Sequence, residues 1–504
     1  MQLKNIILLI SCSFFIPSLL WGQEISLASG QEKAFVPGQE KAFPTEQETG
    51  LTAGQEMTLE QCREMALENN KAISIASRNK EQAEYTVKAY RANFFPKISA
   101  SGNYLYYDTE MNSSLPGGYL PTFVPDPATG ELIPNILTGP DGNPVIGADG
   151  NPIFNQYAYF PDMGISMNVK NTWMAGLRAE QPLYTGGKIT SAYRMAQIGD
   201  KIAGLSEQLS RAEVIVKVDE AYWTYVKTRE LVNLALSYQR VVTELLRDVR
   251  NAHEVGLKHQ NDVLKVQVKV NEAELQLRQA ENGNRLARKN LCYVTGLPLD
   301  REISLPASFD QSVGLKTESM DDYTSRPEYA ILEHQIQLKE QEIKLTRSDF
   351  LPKVGVAANY GYINGLELNG YKLLEGASFS AMVSVNIPLF QWGEGRNKIR
   401  AAEAGRSIVQ LQREDISRQM ELELAQAFDK WDESVLDVQL TARSLNQAQE
   451  NMRVSEDRYK AGMETLADYL EAQTGWQRAW TEHVNALTRL RLNQTYYLKA
   501  AGKL

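Results

Sequence analysis

The stretch Ala461–Gln473, AGMETLADYLEAQ, sets a glycine where a long apolar-periodic helix arrives and then resumes at once as good helix sequence. An interior glycine costs a helix about 1 kcal/mol relative to alanine, so Gly462 marks a reversal of the chain. The same stretch stands earlier as Val255–Gln267, VGLKHQNDVLKVQ. There Gly256, Asp262, Leu264 and Gln267 match Gly462, Asp468, Leu470 and Gln473 at one offset, 462 − 256 = 206.

Working outward, that offset holds without a gap from the pair WMAGLRAEQPLY (Trp173–Tyr184) and FSAMVSVNIPLF (Phe379–Phe390) to Gly296 and Gly502. Upstream, FFPKISASGNYLY (Phe94–Tyr106) returns as FLPKVGVAANYGY (Phe350–Tyr362) at offset 350 − 94 = 256. The extra 256 − 206 = 50 residues are a polar, Pro/Gly/Asn-rich insertion in the first half, 108–171, where the second half has only Ile363–Ser378. DGNP occurs in it twice, at Asp141–Pro144 and Asp149–Pro152, and reads as turns rather than calcium ligands. The pattern is an internal duplication: a first repeat at 57–296, a linker at 297–325 and a second repeat at 326–504.

The N-terminus reads as an export signal over 1–23. Lys4 precedes a short apolar run, Ile6–Leu20, which contains Pro17 and falls short of a bilayer-spanning helix. Residues 24–56 repeat GQEKAF and read as a flexible tether with too few apolar residues to fold alone. A net charge of −9 without a basic stripe argues against nucleic acid. Three cysteines make no disulfide framework or metal spacing, and the four histidines His253, His259, His334 and His483 make no ligand set. Neither a nucleophile elbow nor a phosphate-binding loop is present, so the chain is not read as an enzyme and no cofactor is expected.

The paired segments alternate with period two. Phe379, Ala381, Val383, Val385 and Ile387 share one face, with Ser380, Ser384 and Asn386 on the other. Each segment approaches the 9–11 residues that a tilted strand needs to cross a membrane. A sandwich with one wet face would alternate in the same way. If these strands do span a membrane, four are too few for a single-chain barrel, and open edges are forbidden in lipid, so several chains must close one barrel.

The helices supply a second length. Ile189–Glu254 and Gly395–Lys460 each read as one helix near 100 Å long. Helices of about half that length are expected from Thr58 to Asn93 and from Asp262 to Tyr293, with short helices again at Pro327 to Ser348 and Thr465 to Ala500. Their sustained apolar spacing suggests coiled-coil-like packing.

TLEQCREMALENN, FFPK before an alternating strand, PLYTGGK and PLFQWGEG at strand-to-helix junctions, and the two glycine reversals together resemble TolC-type outer-membrane efflux proteins. The resemblance covers the chain from about Met57 onward. It implies a mixed α and transmembrane β fold: a homotrimer with a twelve-stranded barrel, four strands per chain, continuous with a periplasmic α-helical coiled-coil barrel. It places the protein in the outer membrane of a Gram-negative cell, with the insertion 108–171 extracellular and the linker in an equatorial collar. The implied function is the passive exit duct of a tripartite efflux system, partnered by a periplasmic adaptor and an inner-membrane transporter. The alternatives are a duct for type I protein secretion and an exported structural coiled-coil spacer.

By position, the resemblance makes Val255, Gly256, Leu257, Ala461, Gly462 and Met463 the adaptor-docking tips. It puts Asp468 and Glu471 in the narrowest constriction, and Asp262 and Tyr459 among the groups that hold the gate closed. The sequence departs from the family where a base is expected two residues after the second glycine: Glu464 stands there, whereas the first repeat has Lys258. Lys258 is therefore expected to pair with Asp468 or Glu464.

Overall fold

Thr58 starts the first helix because its side chain can satisfy an orphan N–H and Gln61 can reach back to satisfy another. In the computed structural model, which describes residues 56–108, 110–168, 171–306 and 322–504, both bonds are made, at 3.3 and 3.0 Å. The signal segment 1–23, the tether as far as Gln55 and the middle of the linker lie outside the described residues. The expected helix from Thr58 to Asn93 is two helices, α1 (Leu59–Asn69) and α2 (Lys71–Ala92). Asn70 breaks it: its backbone is extended, its side chain caps α2 by accepting from the Ala72 N–H (2.9 Å), and its amide donates to the Val294 carbonyl (2.8 Å).

Four long strands follow the two FxPK motifs and precede the two long helices: β1 (Lys97–Leu105), then, after six short strands, β8 (Thr172–Tyr184), and in the second half β9 (Lys353–Leu368) and β10 (Tyr371–Asn386). They pair antiparallel in the order β1–β8–β9–β10. Among the described residues, the outer sides of β1 and β10 have no strand neighbour. Ile363–Ser378, expected as a loop, is instead the meeting of β9 and β10. They turn at Asn369-Gly370, whose φ values of +50° and +80° are those of a tight hairpin.

The insertion is also more regular than its polar composition suggests. It contains β2 (Glu110–Leu115), β3 (Gly118–Pro121), β4 (Phe123–Pro125), β5 (Leu132–Pro134), β6 (Tyr157–Phe160) and β7 (Met163–Asn168), paired β2–β7, β3–β6 and β4–β5. Its two DGNP stretches are turns, with Gly142 and Gly150 both at φ +78°. Asp141 and Asp149 accept from the Asn143 and Asn151 backbones within their own turns. Pairing of β7 with the end of β9, and the Asn369 side chain accepting from the Ser166 N–H (2.6 Å), fix the insertion to the sheet.

The helices are α3 (Lys188–Glu254), α4 (Gln260–Thr295), α5 (Pro327–Ser348), α6 (Glu394–Lys460) and α7 (Leu466–Ala500). Both α3 and α6 have 67 residues, about 100 Å. No helix among the described residues is long and apolar enough to cross a membrane. One apolar cluster joins α1, α3 and the end of α4 through Cys62, Val218, Leu291 and Cys292. A second joins the lower part of α3 to α4 and the start of α7 through Val242, Val266 and Tyr469.

The first cluster surrounds a charge. Asp219 is wholly buried on α3, accepts from Arg63 on α1 at 2.8 and 2.6 Å, and accepts from the Thr495 hydroxyl on α7 at 2.5 Å. A buried carboxylate is tolerated when its lone pairs are filled this way, and removing one partner strands the other. Asp219→Ala is expected to destabilise the helical domain by about 3–5 kcal/mol, read as a lowered melting temperature of the helical dichroism, with Asp219→Asn losing less. Beside it, burial, with help from Glu60 and Asp219, pushes the Cys62 thiol up to about 12. Neither Cys62 nor Cys292 should therefore be alkylated at pH 8 until denaturant opens the helices.

Candidate functional site

Both reversals are built alike. At the end of α3 the Gly256 N–H donates to the His253 carbonyl (2.9 Å) and the Leu257 N–H to the Ala252 carbonyl (2.8 Å). At the end of α6 the Gly462 and Met463 N–H groups reach Tyr459 (3.0 Å) and Arg458 (2.9 Å). This paired cap needs a left-handed residue, and Gly256 and Gly462 have φ of +78° and +74°. The return helices end in the same bonds at Gly296 and Gly502. Their surroundings differ. A Cβ on Gly296 would lie 2.7 Å from the Asn69 Cβ, and one on Gly502 would lie 2.9 Å from the Arg326 backbone nitrogen. At Gly256 and Gly462 it would meet nothing within 4 Å.

The neighbours of the tip glycines are apolar and open. Val255, Leu257 and Met463 are 70%, 77% and 74% exposed, and Ala461 is exposed as well. Helix capping accounts for the glycines; it does not account for three bare apolar side chains at the end of a 100 Å helix pair. His253, a ring nitrogen of which lies 2.9 Å from the Lys258 carbonyl oxygen, braces the first tip.

Behind the tips the two hairpins touch. The Lys258 ammonium of the first lies 4.8 Å from the ring centroid of Tyr459 in the second, and Tyr459 stacks on Tyr469 at 5.3 Å. Burial, then the Asp262 carboxylate, raises the Tyr459 phenol above its ordinary range, so the ring stays neutral. Within one chain Lys258 makes no ion pair with Asp468 or Glu464 among the described residues. Glu464 instead accepts from the buried Ser455 hydroxyl (2.6 Å). Asp468 accepts from Thr465, the cap of α7, also at 2.6 Å. Asp468 and Glu471 are exposed, one turn apart, while Tyr469 and Ala472 face the core. Glu464, Asp468 and Glu471 line one open groove of about 380 Å³ between α6 and α7. Asp262 sits in the first turn of α4, where a carboxylate suits the positive end of the helix.

Sequence reasoning named these acids and tips but not Tyr469 or Ser455. Tyr469 lies inside the opening stretch, and its apolar spacing from Leu466 and Ala472 was the available signal. Ser455 had none, because only the fold brings it to Glu464.

The chain matches the family model described as outer membrane efflux protein over residues 62–297 and 324–502. It is 23% identical to the alkaline protease secretion protein AprF of Pseudomonas aeruginosa, over 64% of this chain and 69% of that protein. It is also 23% identical to the probable efflux pump outer membrane protein TtgC of Pseudomonas putida, over 61% of this chain and 66% of that one. Its fold matches the CmeC outer membrane channel of Campylobacter jejuni with a TM-score of 0.67 at 17% identity, over 94% of each chain.

The four glycine caps make a graded test. Alanine at any of them meets left-handed strain of about 1–2 kcal/mol, but only Gly296→Ala and Gly502→Ala also meet neighbouring atoms. Those two should lower the melting temperature clearly more than Gly256→Ala and Gly462→Ala.

Proposed function

This chain belongs to the outer membrane efflux protein family, and from that premise we propose that three copies close one twelve-stranded barrel, opening into a helical tunnel that receives cargo from a periplasmic adaptor and an inner-membrane transporter. The protein is an outer-membrane efflux channel, an exit duct rather than a pump. One observation carries the assembly: four strands of membrane length lead into two helices of about 100 Å, and among the described residues the two outermost strand edges are unpaired. Edges cannot remain open in hydrocarbon, where backbone groups find no water. The two halves act as repeats of one plan. The tether and the linker join the duct to its signal and join the repeats to each other.

The open tips Val255-Gly256-Leu257 and Ala461-Gly462-Met463 receive the adaptor, six tips in the assembly. The groove acids become rings. Three copies each of Asp468 and Glu471 around one axis repel one another and attract cations, so the periplasmic entrance selects for positive charge. Lys258 over Tyr459 is the clasp between hairpins, worth about 0.5–2 kcal/mol as a cation–π contact. Asp262 and Glu464 hold the same end from either side. The cargo is a small molecule. The likeness to AprF, named for protease secretion, favours a second reading in which a protein passes through the same duct.

Native mass spectrometry of the detergent-extracted protein should give a trimer, and a monomer would remove the shared barrel. In planar bilayers Asp468→Asn with Glu471→Gln should reduce cation selectivity, and Lys258→Ala should raise conductance. Unchanged conductance in Lys258→Ala would sink the clasp.

A further inference from the structure

Between Lys97 and Lys170 the sequence has no lysine, arginine or histidine, yet it carries seven acids, from Asp108 to Asp162. This stretch is the insertion of the first half. It stands at the end of the sheet away from the helices, since β1 comes up from α2 and β8 leads back into α3. The pairs β2–β7, β3–β6 and β4–β5 build it into an arm. The arm ends in a knob made of an eight-residue repeat, GPDGNPVI (Gly139–Ile146) and GADGNPIF (Gly147–Phe154). There the Leu137 N–H donates to the Ile153 carbonyl (2.7 Å), the Ile153 N–H to Val145 (2.9 Å) and the Val145 N–H to Leu137 (2.8 Å), closing a ring of three backbone bonds. The carboxylates of Asp141 and Asp149 also accept from the side-chain amides of Asn143 and Asn151, at 3.2 and 3.3 Å. Those bonds hold both carboxyls below their ordinary range, so the knob keeps its charge in mild acid.

The arm is bare where it is most aromatic. On β3–β6, Tyr119 stands opposite Tyr159 and Pro121 opposite Tyr157, so these four share one face. The rings of Tyr119 and Tyr159 lie 5.3 Å apart. Tyr157 continues to Phe154 at 5.9 Å, and Phe154 to Phe123 at 6.4 Å. Tyr119, Tyr159 and Phe123 are 71%, 63% and 51% exposed. Single apolar side chains in water need no explanation, but a strip of five rings does. Rings have few torsions, and these sit on paired strands, so covering them costs little conformational freedom. The strip has the build of a recognition surface.

Resting on the reading that the sheet lies in the outer membrane with this arm outside the cell, we propose that the ring strip is a docking surface for a basic polypeptide segment. Its arginine or lysine side chains lie over the rings and beside the carboxylates. Charge selects this occupant. With seven acids and no base, the arm repels nucleic acid and anionic headgroups, and it repels the same arm of a second copy. A cation is drawn both to the negative face of a ring and to a nearby carboxylate. Asp162 stands just past β6 at one end of the strip, and Glu131 just before β5 at the other; both are exposed. Asp162 is held in place by accepting from the Gly117 N–H (2.5 Å).

The helix tips at the far end are built differently. Their bare side chains are Val255, Leu257 and Met463, which carry no ring, and the acids behind them line a separate groove between α6 and α7. On the arm, exposed rings and exposed carboxylates share one element that has no base in its sequence.

Two measurements test the surface. The first titrates the full chain in detergent, by fluorescence anisotropy, with a labelled peptide of alternating arginine and tyrosine, about ten residues long and so about 33 Å extended. The peptide should bind, its alternating glutamate–tyrosine analogue should not, and affinity should fall as ionic strength rises from about 0.1 M to about 1 M. Tyr119→Ser with Tyr159→Ser should weaken binding about tenfold, whereas Tyr119→Phe with Tyr159→Phe should keep it. Glu131→Gln with Asp162→Asn leaves every ring in place and should also weaken binding, so the surface is tested even if serine loosens the arm. Equal affinity in the serine pair and the unmodified protein overturns the ring strip. Binding that ignores salt or the carboxylate changes overturns the basic occupant. So does binding of a labelled neutral dextran in place of the arginine peptide, which would assign the strip to a glycan. The second measurement isolates the reading beneath. Ala128 is exposed at the β4–β5 turn and the described native thiols are buried, so Ala128→Cys should take up a membrane-impermeant maleimide in intact cells. Labelling only after lysis overturns the placement outside the cell. Labelling in intact cells without peptide binding overturns the docking surface alone.

Discussion

A strand edge in hydrocarbon has no water to satisfy its N–H and C=O groups, and every edge must therefore be paired or absent. Among the described residues, one copy of this chain has four long strands in a row and an unmatched edge at each end of the row. In the proposed assembly the sheet is a piece of a wall. The helical part inherits the same incompleteness, because each long helix continues from a strand and must keep the lateral spacing that the strands impose.

The helices show where a single copy is sufficient and where it is not. Around α3 the chain has enough neighbours to bury Asp219 with two partners and to assemble a core that includes Cys62 and Cys292. Around α6 it has too few, and apolar side chains whose counterparts are buried remain in water. Apolar area of that kind is stabilising only when covered, at about 25 cal/mol per Å². In the proposed assembly, the free energy that completes the tunnel comes from association.

The ends of the helices separate two uses of one turn. Gly296 and Gly502 are pressed against Asn69 and Arg326, so there the left-handed glycine serves packing. Gly256 and Gly462 make the same hydrogen bonds in open space, beside side chains with nothing to cover them. Here the backbone requirement and the capacity to be approached coincide. Behind the tips, the aromatic pair Tyr459–Tyr469 with Lys258 above it joins the two hairpins, and among the described residues the groove acids have no ion-pair partner in their own chain.

Much of this was legible in one dimension, for reasons that can be stated residue by residue. Helix lengths follow from apolar period and from glycine and proline punctuation, which are local; strand alternation follows from the pleat. Two constant offsets are enough to align the halves. The Asn369-Gly370 hairpin was also local but was hidden by polar neighbours, and the insertion's strands were hidden in the same way. The break at Asn70 was not local. It depends on the Val294 carbonyl, 224 residues away. The sequence by itself determined the four long strands, the two long helices and the glycine reversals. Each of these is a property of period, composition or count along the chain. Only the tertiary structure decided which side chains meet. It gave Glu464 to Ser455 and Asp468 to Thr465, set Lys258 over a ring, and buried Asp219 between Arg63 and Thr495. Hydrogen bonds and ring contacts need their partners within a few ångströms, and spacing along the chain carries no record of which helices will lie side by side.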